Sequence, residues 1–378
     1  LPLLAAVFFG GASGALFGVC GPFSDVAGDV FCPFVLEIFY LGITTGTTPT
    51  TYDPTANVNR LQMAAFLSRS VDGVLKRGGR RAAMDQFWTT GATASLGLTT
   101  VGSAPQMIKC DGPDVWVANN NSGTVSRVRA GDGKLLETWT GMTVPFGVLS
   151  AMGRIFVTAN TSPGQLYRID PSQPAGAATA VATNLGDIPE GIAFDGVKIW
   201  TADGGGSAVS IITPGATIPW TVTTVTTGFN GPGGALYDGS NVWIADTFAG
   251  SLLKLNAAGA ILQTVTIGAS PKFPAFDGAN IWVPNFSDNS VSVVRASNGA
   301  VLATLTGNGL SAPNSAAFDG QRVLVTDLGG QAVSLWKAAD LTPIGFFPTG
   351  ASTNPYGAAS DGINFWISLS GTAKLARF

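Results

Sequence analysis

The chain repeats itself seven times, and no other feature limits its fold as strongly. Residues 276–294 read FDGANIWVPNFSDNSVSVV, and close copies begin at Phe194, Tyr237 and Phe318. An Asp-Gly pair marks six copies, at Asp111, Asp195, Asp238, Asp277, Asp319 and Asp361; Met152-Gly153 takes its place in the second. A proline stands about six residues before each pair: Pro105, Pro145, Pro189, Pro232, Pro271, Pro313 and Pro355, on average about 42 residues apart. A period in that range, built from short strands and turn residues, specifies a β-propeller with one blade per repeat.

Each part of the repeat has a physical job. The short apolar stretch after the proline suits an innermost strand. Asp-Gly supplies a tight hairpin, because glycine accepts positive φ and the aspartate can bond the turn backbone. An aromatic-centred strand follows, such as VWV at 115, IWT at 199 or FWI at 365. Blade faces are covered on both sides, so these strands need few polar residues. A third strand and a Thr-rich fourth strand ending in Gly complete each copy. The last copy ends at its third strand, TAKLARF. The stretch ASLGLTTVG over 94–102 has fourth-strand composition and leads into Pro105. It is expected to pair with the last blade and close a ring over 94–378, which removes an exposed edge.

The bulk numbers agree and exclude several functions. With 46% hydrophobic and 11% charged residues, the chain suits packed β-structure and not disorder. Net charge is −3 and no long basic run exists, which argues against a nucleic-acid partner. There is no histidine, so the commonest general acid–base and metal ligand is missing. The apolar run Leu1–Phe9 followed by small residues resembles the end of a secretory signal, with a cut expected after Ala15. It is too short for a firm membrane span. Residues 1–19 are read as that remnant. Cys20 and Cys32 bracket a short segment: they either pair in an oxidising compartment or stay as buried thiols, and export predicts the disulfide. Cys110 occupies a position held elsewhere by phenylalanine and reads as a small core residue.

The repeat pattern resembles the YVTN/NHL group of seven-bladed propellers, which includes the virginiamycin B lyase-like proteins. That resemblance implies the fold and leaves activity open, because the group holds enzymes, binding modules and surface proteins. Residues 20–70 carry FSDV, an amphipathic stretch ending LGIT, then YDP and VNRLQMAAFLSR. They resemble a single S-layer homology (SLH) module. The first helix is expected from about Pro33 to Leu41 with Gly42 as its stop, and the second from Asn59 with Gln62 as capping partner. Met63, Phe66 and Leu67 are expected to face the core. The resemblance implies that the stretch around Asn59-Arg60-Leu61-Gln62 binds anionic cell-wall polymer. Arg60 matches the motif's arginine, whereas Asn59 and Gln62 depart from its Thr and Glu. Residues 71–93, with Lys76, Arg77, Arg80, Arg81 and Trp88, read as a linker.

In propellers of this kind the segment entering each innermost strand lines the channel mouth. The residue after each repeat proline is therefore the candidate binding position: Gln106, Phe146, Glu190, Gly233, Lys272, Asn314 and Tyr356. Glu190 and Lys272 would orient a ligand, while Phe146 and Tyr356 would stack on carbohydrate or peptide. Only Glu190 and Asn314 offer oxygens to a lactonase-type divalent metal, too few for a hard cation, and the lyase-type reaction needs a histidine in its family. A second set, Asn119, Asn160, Asp203, Asp246, Asn285 and Asp327, follows each aromatic strand and reads as local turn caps. No cofactor, metal or catalytic residue is assigned. The expected molecule is mostly β, a seven-bladed propeller with a small α-helical SLH-like domain. It is read as a secreted or bacterial cell-envelope protein, in the periplasm or at the cell surface. Its expected role is non-catalytic binding of cell-wall polymer, glycan or protein. A lactonase or lyase-type enzyme and a structural surface-layer component are the alternatives.

Overall fold

Seven four-stranded antiparallel sheets make up the C-terminal part of this computed structural model, which describes residues 20, 22–40, 43–67, 70 and 97–378. The chain divides into two compact units, Leu1–Phe87 and Trp88–Phe378. The apolar segment 1–19, the linker 71–93 with its basic cluster and Trp88, and residues 94–96 of the expected closing strand lie outside the described residues.

The inner strands of the first four blades are β2 (Pro105–Cys110), β6 (Pro145–Ala151), β10 (Pro189–Phe194) and β14 (Pro232–Tyr237). Those of the last three are β18 (Ala275–Phe276), β22 (Pro313–Phe318) and β26 (Pro355–Ser360). Six sheets take four consecutive strands each. In the seventh, β1 (Gly97–Thr100) lies beside β28 (Lys374–Arg377), with Gly97 opposite Arg377 and Thr100 opposite Lys374.

The Asp-Gly pair holds more than a turn. Gly112, Gly196, Gly239, Gly278, Gly320 and Gly362 all have φ between +87° and +112°. In five blades the aspartate also accepts a bond from the indole Nε1 five residues on: Asp111–Trp116 at 2.7 Å and Asp195–Trp200, Asp277–Trp282 and Asp361–Trp366 at 2.8 Å, with Asp238–Trp243 at 2.7 Å. These five tryptophans are fully buried between blades, where an indole N–H without a partner would be costly. In the sixth blade Arg322 Nε donates to Asp319 instead, at 2.7 Å. The second blade, with Met152 for the aspartate, has Phe156 for the tryptophan and so has no indole to satisfy.

The residue before each repeat proline lies in the left-handed region: Ala104, Val144, Ile188, Gly231, Ser270, Ala312 and Asn354 have φ between +43° and +69°. Only one of the seven is glycine, so the conformation is held by context. Each of these residues offers its carbonyl to the backbone N–H sixteen positions later, at 2.9–3.2 Å: Ala104 to Asn120, Val144 to Asn160, and so on to Asn354 and Ser370. The left-handed turn aims the carbonyl at the chain leaving the second strand, and the proline then starts the inner strand.

Five of the six residues in the second polar set do not cap the turn that follows them. Asn119, Asp203, Asp246, Asn285 and Asp327 are at most 1% exposed. Asn119 Nδ2 donates to Ser126 and Asn285 Nδ2 to Ser292, both at 2.9 Å; Asp203 accepts from Ser210 at 2.6 Å and Thr201 at 2.7 Å; Asp327 accepts from Ser334. Four of the five clasp the hydroxyl seven residues on; Asp246, with Leu253 at that position, accepts the Asn230 amide instead, at 2.9–3.0 Å. Gly102, Gly186 and Gly268 explain the glycine that ends the fourth strand: a Cβ there would stand 2.6–2.7 Å from Asn119, Asp203 and Asn285.

Burial pushes the Asp203 and Asp327 carboxyls up from 3.8 to about 7. Between pH 4 and 7 the folded chain therefore holds more protons than the unfolded one, and stability falls as pH rises through that window. The melting temperature should be higher at pH 5 than at pH 8 by roughly 5 °C or more. The double substitution Asp203→Asn with Asp327→Asn, which copies the first and fifth blades, should flatten that profile. A melt that is flat for the parent, or equally sloped for both proteins, contradicts the assignment.

In the N-terminal module, Phe23 is fully buried, its ring centroid 5.1 Å from Phe39 edge-on and 5.8 Å from Tyr52. Asp25 accepts the amides of Tyr52 at 2.9 Å and Asp53 at 2.6 Å, which holds its carboxyl below the usual range. Cys20 and Cys32 form a disulfide with Cα atoms 5.6 Å apart. The first helix is Cys32–Tyr40, and its expected stop Gly42 lies outside the described residues. Residues 60–67 are helical, opened by a reciprocal cap: Asn59 N donates to Gln62 Oε1 and Gln62 N to Asn59 Oδ1, both 2.9 Å. Met63 and Leu67, expected in the core, are instead 47% and 59% exposed, and only Phe66 is half-buried. The module's core, among the described residues, is made by the 20–26 loop, the first helix and Tyr52, and takes nothing from this helix. Among the described residues no helix is long and apolar enough to cross a membrane.

Candidate ligand site at the channel mouth

Six inner strands have a bulge or register shift just after their proline; in the first, second, sixth and seventh blades it falls between the proline and the residue three on. A bulge re-aims side chains, and here it turns the post-proline residue towards the axis. The freed amides are met by hydroxyls of the next strand: Gly147 N to Thr158, Ser315 N to Thr326 and Gly357 N to Ser368, at 2.8–3.0 Å. Glycine fills the second position in four blades because the strands crowd there. A Cβ on Gly147, Gly191 or Gly234 would stand 2.4 Å from the backbone of the next blade, and one on Gly357 2.6 Å from the Gln106 carbonyl.

This crowding changes what the mouth can offer. Phe146 and Tyr356 do meet on the axis, edge to face at 5.9 Å, and Phe273 joins them at 5.9 and 6.2 Å. Phe146 is only 5% exposed. The three rings stack on one another and plug the channel, so Phe146 has no free face for a ligand. Seven strands packed through glycine leave an axis just wide enough for these rings. Phe273 was not among the expected residues. It sits in Lys-Phe-Pro between Pro271 and Pro274, where the missing proline donors shorten the inner strand. Phe273 bonds the neighbouring blade instead, donating to Asn314 O and accepting from Ala316 N, both at 3.0 Å. Two prolines three residues apart in one inner strand are the signal that marks it.

The polar members have distinct surroundings. Glu190 sits beside Gly233, where a Cβ would meet its carboxylate at 3.4 Å and Thr247 Oγ1 at 2.9 Å. Burial raises the Glu190 carboxyl pKa, while the Lys272 charge opposes the shift. Lys272 Nζ lies 5.8 Å from the Phe286 ring centroid. Burial, reinforced by Glu190, pushes the Tyr356 phenol up. Asn314 is 2% exposed and donates to the Tyr356 carbonyl at 3.1 Å. Gln106 is half-buried, and its carbonyl accepts from Ser368 at 2.5 Å. Glu190 and Lys272 are thus the charged groups of this tier, and one carboxylate beside an ammonium is a poor set for a divalent cation.

In the N-terminal module Arg60 is exposed in the first turn of its helix, with no hydrogen bond or ion pair among the described residues. Residues 22–64 match the S-layer homology domain. The module is an SLH domain. No curated protein matches the chain. Among solved structures, virginiamycin B lyase from Staphylococcus aureus is 17% identical with a TM-score of 0.64, covering 75% of this chain and 98% of that one. Hydrazine synthase from Kuenenia stuttgartiensis is 17% identical with a TM-score of 0.62, covering 76% and 99%. A streptogramin B lyase structure is 16% identical with a TM-score of 0.62, covering 75% and 97%. At such identities the likeness establishes the seven-bladed fold and carries no activity.

Proposed function

We propose that this is an exported cell-envelope protein whose SLH domain attaches it to anionic cell-wall polymer, and whose propeller is a non-catalytic binding module. The observation that carries the reading is Arg60, an unpartnered guanidinium at the point where the domain match meets the capped helix start. A guanidinium fork suits carboxylate or phosphate bidentately, and the helix N-terminus adds favourable partial charge. The Cys20–Cys32 disulfide fits an oxidising compartment. On the propeller, Glu190 and Lys272 are the groups proposed to orient a glycan or protein partner at the mouth. The plugged axis restricts that partner to the surface of this end. A lyase-type activity draws support from fold likeness alone, and the chain has no histidine to serve as its acid–base group.

Co-sedimentation of the full chain with purified cell-wall fragments tests the anchor. Parent protein should pellet with the fragments, and less so as salt rises. Arg60→Ala should weaken binding about tenfold, the loss of one charge-assisted pair, while Arg295→Ala on the propeller should not. Equal pelleting of Arg60→Ala and parent, or none by either, would refute the anchoring role.

A further inference from the structure

Beyond the aromatic plug the channel opens into a cavity of about 460 Å³, with Phe273 in its wall. Four aromatic residues also line it, Phe194, Tyr237, Phe276 and Phe318, each the fifth residue after its repeat proline. One position earlier, six blades place small or apolar residues: Leu149, Ala193, Leu236, Ala275, Ala317 and Ala359. The first blade alone breaks this tier, with Lys109.

Lys109 makes no hydrogen bond or ion pair among the described residues. Glu190 is the one carboxylate in the cavity wall, and no hydrogen bond or ion pair joins it to Lys109. Water reaches the Lys109 side chain. The surrounding walls push its ammonium pKa down, with only Cys110 opposing. The adjacent Cys110 thiol is pushed up by burial and stays neutral, so it supplies no counter-charge at neutral pH. Lys109 thus presents an unpaired ammonium among apolar neighbours. The fold has an apolar solution at the same position in six other blades.

We propose that this cavity binds a small organic carboxylate with an aromatic or branched apolar body, entering from the end opposite the plug, with Lys109 as its counter-ion. The carboxylate would take one of the ammonium's free donors, and the body would lie against the phenylalanine tier. The volume falls in the range of enclosed sites for small molecules. The proposal uses neither Lys272 nor Arg60, so it stands or falls independently of the envelope reading.

Calorimetric titration of the full chain with benzoate, 4-phenylbutyrate and indole-3-acetate, each against its neutral amide, tests the assignment. At least one acid should bind at least tenfold tighter than its amide. Lys109→Met, which restores an apolar tier, should abolish that preference and leave amide binding within about twofold. A second measurement needs no variant: the preferred acid should slow trinitrobenzenesulfonate labelling of Lys109, read by peptide mass mapping, and its amide should not. If no acid is preferred over its amide, if Lys109→Met keeps the preference, or if labelling is unprotected, the proposal is overturned.

Discussion

Deleting residues 1–101 should abolish soluble, cooperative folding, whereas deleting residues 1–85 should leave a propeller that melts in one transition. The first deletion removes β1 and leaves β28 as an unpaired edge. The side chains of β1 are mostly exposed, so little hydrophobic area leaves with them. What is lost is the ladder that covers β28, the bond from Thr99 to the Gly133 carbonyl at 2.5 Å, and Val101, which packs with Val115 and Trp366 between the last blade and the first. An open ring exposes both an edge strand and a blade face, and such edges recruit other chains. Circular dichroism melts with size-exclusion chromatography read the outcome. If the shorter chain stays monomeric and melts like the parent, closure by β1 does not hold the ring.

Gly191→Ala should destabilise the propeller by more than about 3 kcal/mol, at the upper end of overpacking effects. The new Cβ would stand 2.4 Å from the Ala235 amide nitrogen and 2.6 Å from the Gly233 carbonyl oxygen. Both are backbone atoms of the next blade, so no side-chain rotation relieves the clash. Relief requires the third and fourth blades to separate, which disturbs every interface around a closed ring. The melting temperature should fall by roughly 8 °C or more. Gly176→Ala is the matched control, since its Cβ meets nothing nearer than 4.0 Å and its φ is unexceptional; it should shift stability by at most about 0.5 kcal/mol. Equal melts for the two variants would show that the blades can move apart at little cost.

Both expectations rest on contacts between repeats, and that is where sequence reading and structure part. Asp238 and Gly239 were legible because their job is local, a turn that needs positive φ; the bond from the Trp243 indole to Asp238 was not read, although it spans only five residues. The SLH module was legible from FSDV and the Asn59–Gln62 cap for the same reason. Phe146 and Tyr356 were placed on the axis by their proline frame, but their mutual burial was not visible, because it depends on strands about 210 residues apart meeting Phe273. Asp203 and Asp327 looked like turn caps, since a residue before a turn usually bonds locally; the neighbouring blade buries them and turns them onto Ser210 and Ser334.

The sequence by itself determined the number of blades, the frame of each and the mostly-β class, because periodic strands and turns are encoded within a few residues. Only the tertiary structure decided that the axis is plugged, which glycines tolerate no Cβ, and that Lys109 faces an apolar cavity. Those outcomes depend on how closely seven strands converge around one axis, a distance set by packing between repeats and written in none of them.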